Sequence, residues 1–275
     1  MAITAADVNK LRQMTGAGMM DCKKALTECE GDFEKAIDYL RKKGQKVAAN
    51  RADKEAKEGM VWAQVTADKN FGCIVCLSCE TDFVAKNDEF TGLVRKMAEL
   101  ALAAKAKTKE EVMALKVDDR TVADHITDLV GKIGEKMEIP HYEFLEAPVV
   151  FAYNHNGNKL ATLVSFDKAD AAPEVGHNVT MQVAAMNPIA LSEKEVPADV
   201  IAREMEVAKE ATRAEGKPEN MIEKIAMGRM NKFYKENTLV HQEFIMDSKL
   251  SVADYVKQNG GGAVITAFRR VQLGA

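Results

Sequence analysis

Apolar positions recur at helical spacing through the first forty residues. Thr4 starts one helix as an N-cap with Asp7 three residues on, and Val8 and Leu11 mark its buried face. Thr15-Gly16-Ala17-Gly18 breaks it. Met19, Cys22, Ala25 and Leu26 repeat the spacing in a second helix, which Gly31 ends. Asp32 caps a third, with Phe33, Ala36, Ile37 and Leu40 on its inner face; Lys42 and Lys43 suit its C-terminal end and Gly44 its stop. Residues 45–58 hold one large apolar side chain, Val47, and read as a linker with some helical character.

From Gly59 the period changes. Met60–Thr66 and Cys73–Cys79 are rich in β-branched and small apolar residues around a polar turn, Asp68-Lys69-Asn70, which is a hairpin pattern. A helix over 88–105 follows, with Phe90, Leu93, Val94, Met97, Leu100 and Ala104 on one side. Shorter helical patterns cover 109–116 and 121–137, and Pro140 closes them. The order then repeats: a strand over Tyr142–Tyr153, an Asn156-Gly157 turn, a strand over Leu160–Phe166, and a helix near 174–186 ended before Pro188. Hairpin-then-helix twice predicts an α+β fold with two related subdomains. Residues 193–235 read as an antiparallel helical hairpin around Gly216-Lys217-Pro218, too thin to bury itself and therefore protruding. A strand over Leu239–Met246, a helix near 251–258, three glycines (260–262) and a strand over Val264–Leu273 finish the chain. The expected units are 1–54, three helices; 55–140, the first α+β subdomain; and 141–275, the second, with the hairpin inserted.

The chain has 275 residues, 47% hydrophobic and 29% charged, which is the balance of an ordinary globular protein. A net charge of −4 excludes a generally basic polyanion binder. Residues 41–57 do carry seven basic side chains against two acids, but no aromatic residue is interleaved for base stacking. A solvated helix end is the reading, so no direct nucleic-acid partner is expected. Met1 leads straight into helix-forming sequence without a leader pattern, and no apolar stretch approaches the roughly 20 residues of a membrane span. Five cysteines, an odd number, suit a reducing cytoplasm better than a disulfide framework.

Cys73-x2-Cys76-x2-Cys79 has the look of part of an iron–sulfur run. Strand alternation sends Cys73 and Cys79 to one face and Cys76 to the other, so one metal could not gather all three. The five histidines have no ligand spacing, and no nucleophile elbow, P-loop or dinucleotide fingerprint is present. No metal, cofactor or covalent catalytic centre is expected.

Two segments remain. In the first, Met19 and Met20 point about 100° apart on a helix, so at least one is expected at the surface. In the second, Glu80-Thr81-Asp82-Phe83-Val84-Ala85-Lys86-Asn87-Asp88, an aromatic residue stands among polar neighbours where a strand meets a helix. Phe83 either packs back on the sheet with Asp82 capping a helix, or serves a binding loop.

At these segments the sequence resembles the elongation factor Ts family. Thr15-Gly16-Ala17-Gly18-Met19-Met20-Asp21-Cys22-Lys23-Lys24-Ala25-Leu26 is very close to the family's N-terminal signature, and Thr81-Asp82-Phe83-Val84-Ala85-Lys86-Asn87 closely resembles its second. The likeness extends to Tyr153-Asn154-His155, the Gly216-Lys217-Pro218 turn, Gly228-Arg229-Met230 to Lys232-Phe233, and Gln242-Glu243-Phe244-Ile245-Met246. It implies a ubiquitin-associated-like three-helix domain, a core of two related α+β subdomains and a protruding antiparallel coiled coil. It also implies a guanine nucleotide exchange factor that binds elongation factor Tu in its GDP-bound and nucleotide-free forms. Arg12, Met19, Met20 and Lys23 would contact the GTPase domain. Asp82 and Phe83, flanked by Thr81 and Val84, would intrude near the nucleotide and disturb its Mg2+ site. His155 would support that contact, and Ile245 and Met246 match a further contact position. A homodimer stays open. Some family members carry a further C-terminal helix, and this sequence stops at Ala275 soon after its last strand.

Overall fold

The computed structural model describes residues 3–274. The outer limits set from the sequence, Met1 and Ala275, lie outside the described residues. Three helices come first: α1 (Ala5–Thr15), α2 (Met19–Glu28) and α3 (Phe33–Asn50). Thr4 and Asp7 form a reciprocal capping box at the start of α1, and Gly16 ends it in the left-handed region at φ 67°. Val8, Leu11, Cys22, Ala25, Leu26 and Ala36 form their core.

Helix α3 does not stop at Gly44 but runs through it to Asn50. The glycine serves a crossing, not a cap. A Cβ there would stand 2.6 Å from the Thr127 carbonyl oxygen, on the helix α7 (Val122–Ile133) that α3 packs against. Residues 45–50, read from sequence as linker, are therefore helical. Val47 and Ala48 pack against the core beneath α5–α7, while Gln45, Lys46, Ala49 and Asn50 face solvent.

Strands β1 (Glu58–Val65) and β2 (Phe71–Cys79) pair antiparallel, as the hairpin pattern predicts. After the one-turn helix α4 (Asp82–Ala85) come α5 (Asp88–Ala104), α6 (Lys109–Ala114), two-residue strands β3 (Lys116–Val117) and β4 (Arg120–Thr121), and α7, which ends at Ile133 rather than 137. The stretch read as one strand over 142–153 is two. β5 (Tyr142–Glu146) joins β2, whereas β6 (Val149–Asn154) pairs with β7 (Leu160–Phe166) in a second sheet. The break falls at Ala147-Pro148, where proline offers no N–H to continue a ladder. Helix α8 (Pro173–Met186) follows, then the hairpin of α9 (Ala198–Ala214) and α10 (Glu219–Asn237). The strand expected over 239–246 is mostly turn: only Glu243–Phe244 (β8) pairs, with β9 (Asp247–Ser251). Helix α11 (Val252–Asn259) and β10 (Ile265–Gln272), paired with β7, complete the chain.

The two sheets face one another across a shared core of Val61, Ala63, Ile74, Cys76, Val150, Ala161 and Leu163. The outer face of the first carries α5 and α7 over Cys73, Val75, Leu77 and Cys79; that of the second carries α8 and α11 over Phe151, Val164 and Phe166. Alternation along β2 explains the split: residues 73 and 79 face the helices, and Cys76 faces the other sheet. Asn154 staples the sheets together. Its Oδ1 accepts from the Ala63 N–H at 2.7 Å and its Nδ2 donates to the Ala63 carbonyl at 2.8 Å.

Candidate functional site

β2 ends at Cys79, and the chain turns into α4 through Glu80 and Thr81. Thr81, not Asp82, is the N-cap: its hydroxyl accepts from the Val84 N–H at 3.4 Å. Val84 turns inward and is 8% exposed, anchored in the core beside Phe90. Phe83, one residue earlier, points outward and is 83% exposed. The packed-back alternative is therefore overturned. A four-residue helix with one residue pinned to the core presents its neighbour to solvent. Asp82 lies beside it and accepts from Lys86 Nζ at 2.7 Å. That bond holds the Asp82 carboxyl below its ordinary range, with Lys159 adding positive field from the second sheet.

The base of this loop is braced in a way no spacing in the sequence indicates. Glu135, just past α7, accepts from the backbone N–H groups of Glu80 (3.1 Å) and Thr81 (3.0 Å) and from the Thr81 hydroxyl (2.6 Å). In return Glu80 accepts from the Lys136 N–H at 2.6 Å. Glu80 also pairs with Arg51 at the end of α3, at 2.9 Å and off-axis for a hydrogen bond.

Of the predicted site residues, Arg12, Met19, Met20 and Lys23 lie exposed around the elbow between α1 and α2. Both methionines face outward, Met20 at 76%, so Met19 does not belong to the buried stripe of α2. Exposed Met14 joins them, a residue the sequence reading did not single out. The elbow lies close to the start of α5: a Cβ on Gly16 would be 3.1 Å from Lys132 Nζ, which pairs with Glu89. His155 is exposed in the β6–β7 turn and shares a 3.0 Å hydrogen bond between Nδ1 and the Tyr153 hydroxyl. That turn reaches the first sheet through Lys159, whose Nζ pairs with Glu58 at 2.6 Å. The structure thus gathers the Phe83 loop, the elbow and the His155 turn around the β2–α5 junction.

Ile245 and Met246 form a separate exposed turn. Buried Gln182 of α8 holds it, accepting from the Ile245 N–H at 2.9 Å and donating to the Glu243 carbonyl at 3.1 Å. Among the described residues no hydrogen bond or ion pair ties this turn to the other three segments. The basic stretch 41–57 is partly consumed internally: Lys43 pairs with Asp21, Arg51 with Glu80 and Lys57 with Glu55. Cys73, Cys76 and Cys79 are all buried, and burial pushes each thiol up to about 12. That is the opposite of a thiolate ligand or nucleophile. No described helix is long and apolar enough to cross a membrane.

Comparison with known proteins gives one consistent answer. A family model described as Elongation factor TS matches residues 80–275. A protein of Flavobacterium psychrophilum named Elongation factor Ts is 55% identical over 273 residues, covering 99% of both chains. Proteins of the same name from Amoebophilus asiaticus and Bacteroides fragilis are 52% and 42% identical, each alignment covering the whole of both chains.

Proposed function

The chain belongs to the elongation factor Ts family, a family of translation elongation factors, and from that premise we propose that it is the guanine nucleotide exchange factor of its own elongation factor Tu. It binds the GDP-bound GTPase, disturbs the Mg2+ and phosphate site, and leaves a nucleotide-free complex that GTP resolves. It works in the cytoplasm with no cofactor and no covalent chemistry. The observation that carries this reading is Phe83, 83% exposed on a loop whose neighbours are capped and buried. An aromatic side chain held out by a rigid base represents about 2–3 kcal/mol of unused burial, available to distort a partner surface.

The physical logic is linkage. A factor that binds the nucleotide-free GTPase more tightly than the GDP form must weaken GDP by the same ratio. Mg2+ bridges phosphate oxygens, so displacing it leaves negative charge uncompensated and the diphosphate loosens. Asp82 and Phe83 perform the intrusion; Arg12, Met19, Met20 and Lys23 grip the GTPase domain; His155 supports the loop from the second sheet; and Ile245 and Met246 take a separate part of the partner. We read residues 1–54 as ubiquitin-associated-like, 55–140 and 141–275 as related α+β subdomains, and α9–α10 as the protruding coiled coil. Apolar clusters under α1–α3, under α5–α7 and under α8 and α11 support a division into three units, with β5 of the last range completing the first sheet and a further cluster shared between the two sheets.

The test is release of fluorescent GDP from the matching elongation factor Tu. Accelerated release with this protein, slowed at least about tenfold by Phe83→Ala, is the expected result. Release unaffected by the native protein overturns the proposal.

A further inference from the structure

We infer that Glu135 is a positioning residue for exchange, setting the orientation of the Phe83 loop from a different part of the chain. The inference rests on the reading of Phe83 as the intruding side chain. One carboxylate accepts three hydrogen bonds from two consecutive residues, Glu80 and Thr81, and reaches them from 54 and 55 residues away in sequence. Those are the last residues before α4, so they fix the direction in which the one-turn helix leaves the sheet. A helix of four residues has little cooperative stability of its own and takes its direction from its anchors. Here the anchors are Val84 in the core on one side and Glu135 on the other.

The brace is reciprocal. Glu80 accepts from the Lys136 N–H while Glu135 accepts from the Glu80 N–H, so the β2–α4 and α7–β5 junctions hold one another crosswise. Two such bonds to charged acceptors strengthen each other and resist rotation about either junction. Arg51 extends the brace to the end of α3, which also carries the elbow's helical unit. None of these groups needs to touch the partner: Glu135 acts through the Thr81–Phe83 backbone.

The experiment is a double-mutant cycle in the labelled-GDP release assay, using the full chain. Glu135→Ala is expected to slow catalysed release about fivefold or more and to lower hydrogen-exchange protection at the Glu80 and Thr81 amides. Adding Glu135→Ala to Phe83→Ala should slow release no further, because the brace has nothing left to aim. Glu135→Asp, one methylene short of the three donors, is expected to slow release less than Glu135→Ala and to be equally non-additive with Phe83→Ala. Full additivity of Glu135→Ala with Phe83→Ala, or normal release by Glu135→Ala, overturns the positioning role while leaving Phe83 in place. Normal release by Phe83→Ala overturns both. Should Glu135→Ala fold poorly, the same cycle with Glu135→Asp decides: slowing that does not add to that of Phe83→Ala supports the brace, and additive slowing or normal release overturns it.

Discussion

Gly44 of α3 and Gly131 of α7 meet backbone to backbone: a Cβ added to Gly131 would stand 2.9 Å from the Gly44 Cα. Neither helix can carry a side chain there without the pair moving apart.

The sign of Gly44→Ala follows. In an open helix this change gains about 1 kcal/mol of propensity. Here the new methyl meets the Thr127 carbonyl oxygen at 2.6 Å, and backbone cannot swing aside like a side-chain tip. Overpacking of this kind costs about 1–3 kcal/mol, so the mutant is expected to melt lower. Chemical denaturation measures it; a stabilised Gly44→Ala would show that α3 does not press on α7.

Phe83 and Val84 are consecutive yet should answer opposite assays. Phe83→Ala removes an exposed ring and should leave unfolding within about 0.5 kcal/mol of native while slowing GDP release. Val84→Ala empties a core position and should cost about 2 kcal/mol of stability. A Phe83→Ala protein that melts many degrees lower but exchanges normally would sink the intruding role.

The buried thiols give a pH dependence. Cys73, Cys76 and Cys79 titrate near 12 when folded, against an ordinary 9.0. Above about pH 9 the unfolded chain releases these protons and the folded chain keeps them. The native state then binds more protons, and stability falls as pH rises. Each thiol contributes a slope of about −1.4 kcal/mol per pH unit between the two values. Urea unfolding from pH 8 to 10.5 should show this loss, reduced in Cys76→Ala once its cavity cost is subtracted. Native protein treated with a thiol reagent at pH 8 should react first at half-buried Cys29.

Replacing Glu193–Lys235 with a short Gly/Ser loop should leave the core folded. The hairpin leaves the core at a narrow base, where the Ile189 N–H donates to the Asn237 carbonyl and the Leu239 N–H to the Ala190 carbonyl, both at 2.9 Å. The loop splice lies beyond those bonds. Circular dichroism melting checks it: a deletion variant that fails to fold would assign the hairpin's apolar face to the main core.

Much of this fold is legible from periodicity and punctuation. The capping box at Thr4, the Asp68-Lys69-Asn70 turn, the Asn156-Gly157 turn and the Gly216-Lys217-Pro218 bend are local signals, and each marks a boundary that the structure keeps. The misreadings have two causes, a contact far away in sequence and a local stop signal passed over. Gly44 reads as a helix stop because glycine commonly is one, and only the presence of α7 makes it a crossing point. The 142–153 run is apolar on both sides of Pro148, and the proline is the local signal that divides it between the two sheets. For the site, family signatures located the Phe83 loop and the elbow. Glu135 carried no signal, because a carboxylate after a helix looks like any solvated residue until Glu80 and Thr81 are placed against it.

Asn154, hydrogen-bonded to both polar groups of Ala63, has a mechanical meaning beyond its two bonds. With an apolar core shared between the sheets, it opposes sliding of one half over the other. Phe83 on one half and Ile245 and Met246 on the other are thus tied through a shared seam rather than through a linker. A shift of either end would have to be carried through that seam, which makes the junction of the sheets the stiffest route between them.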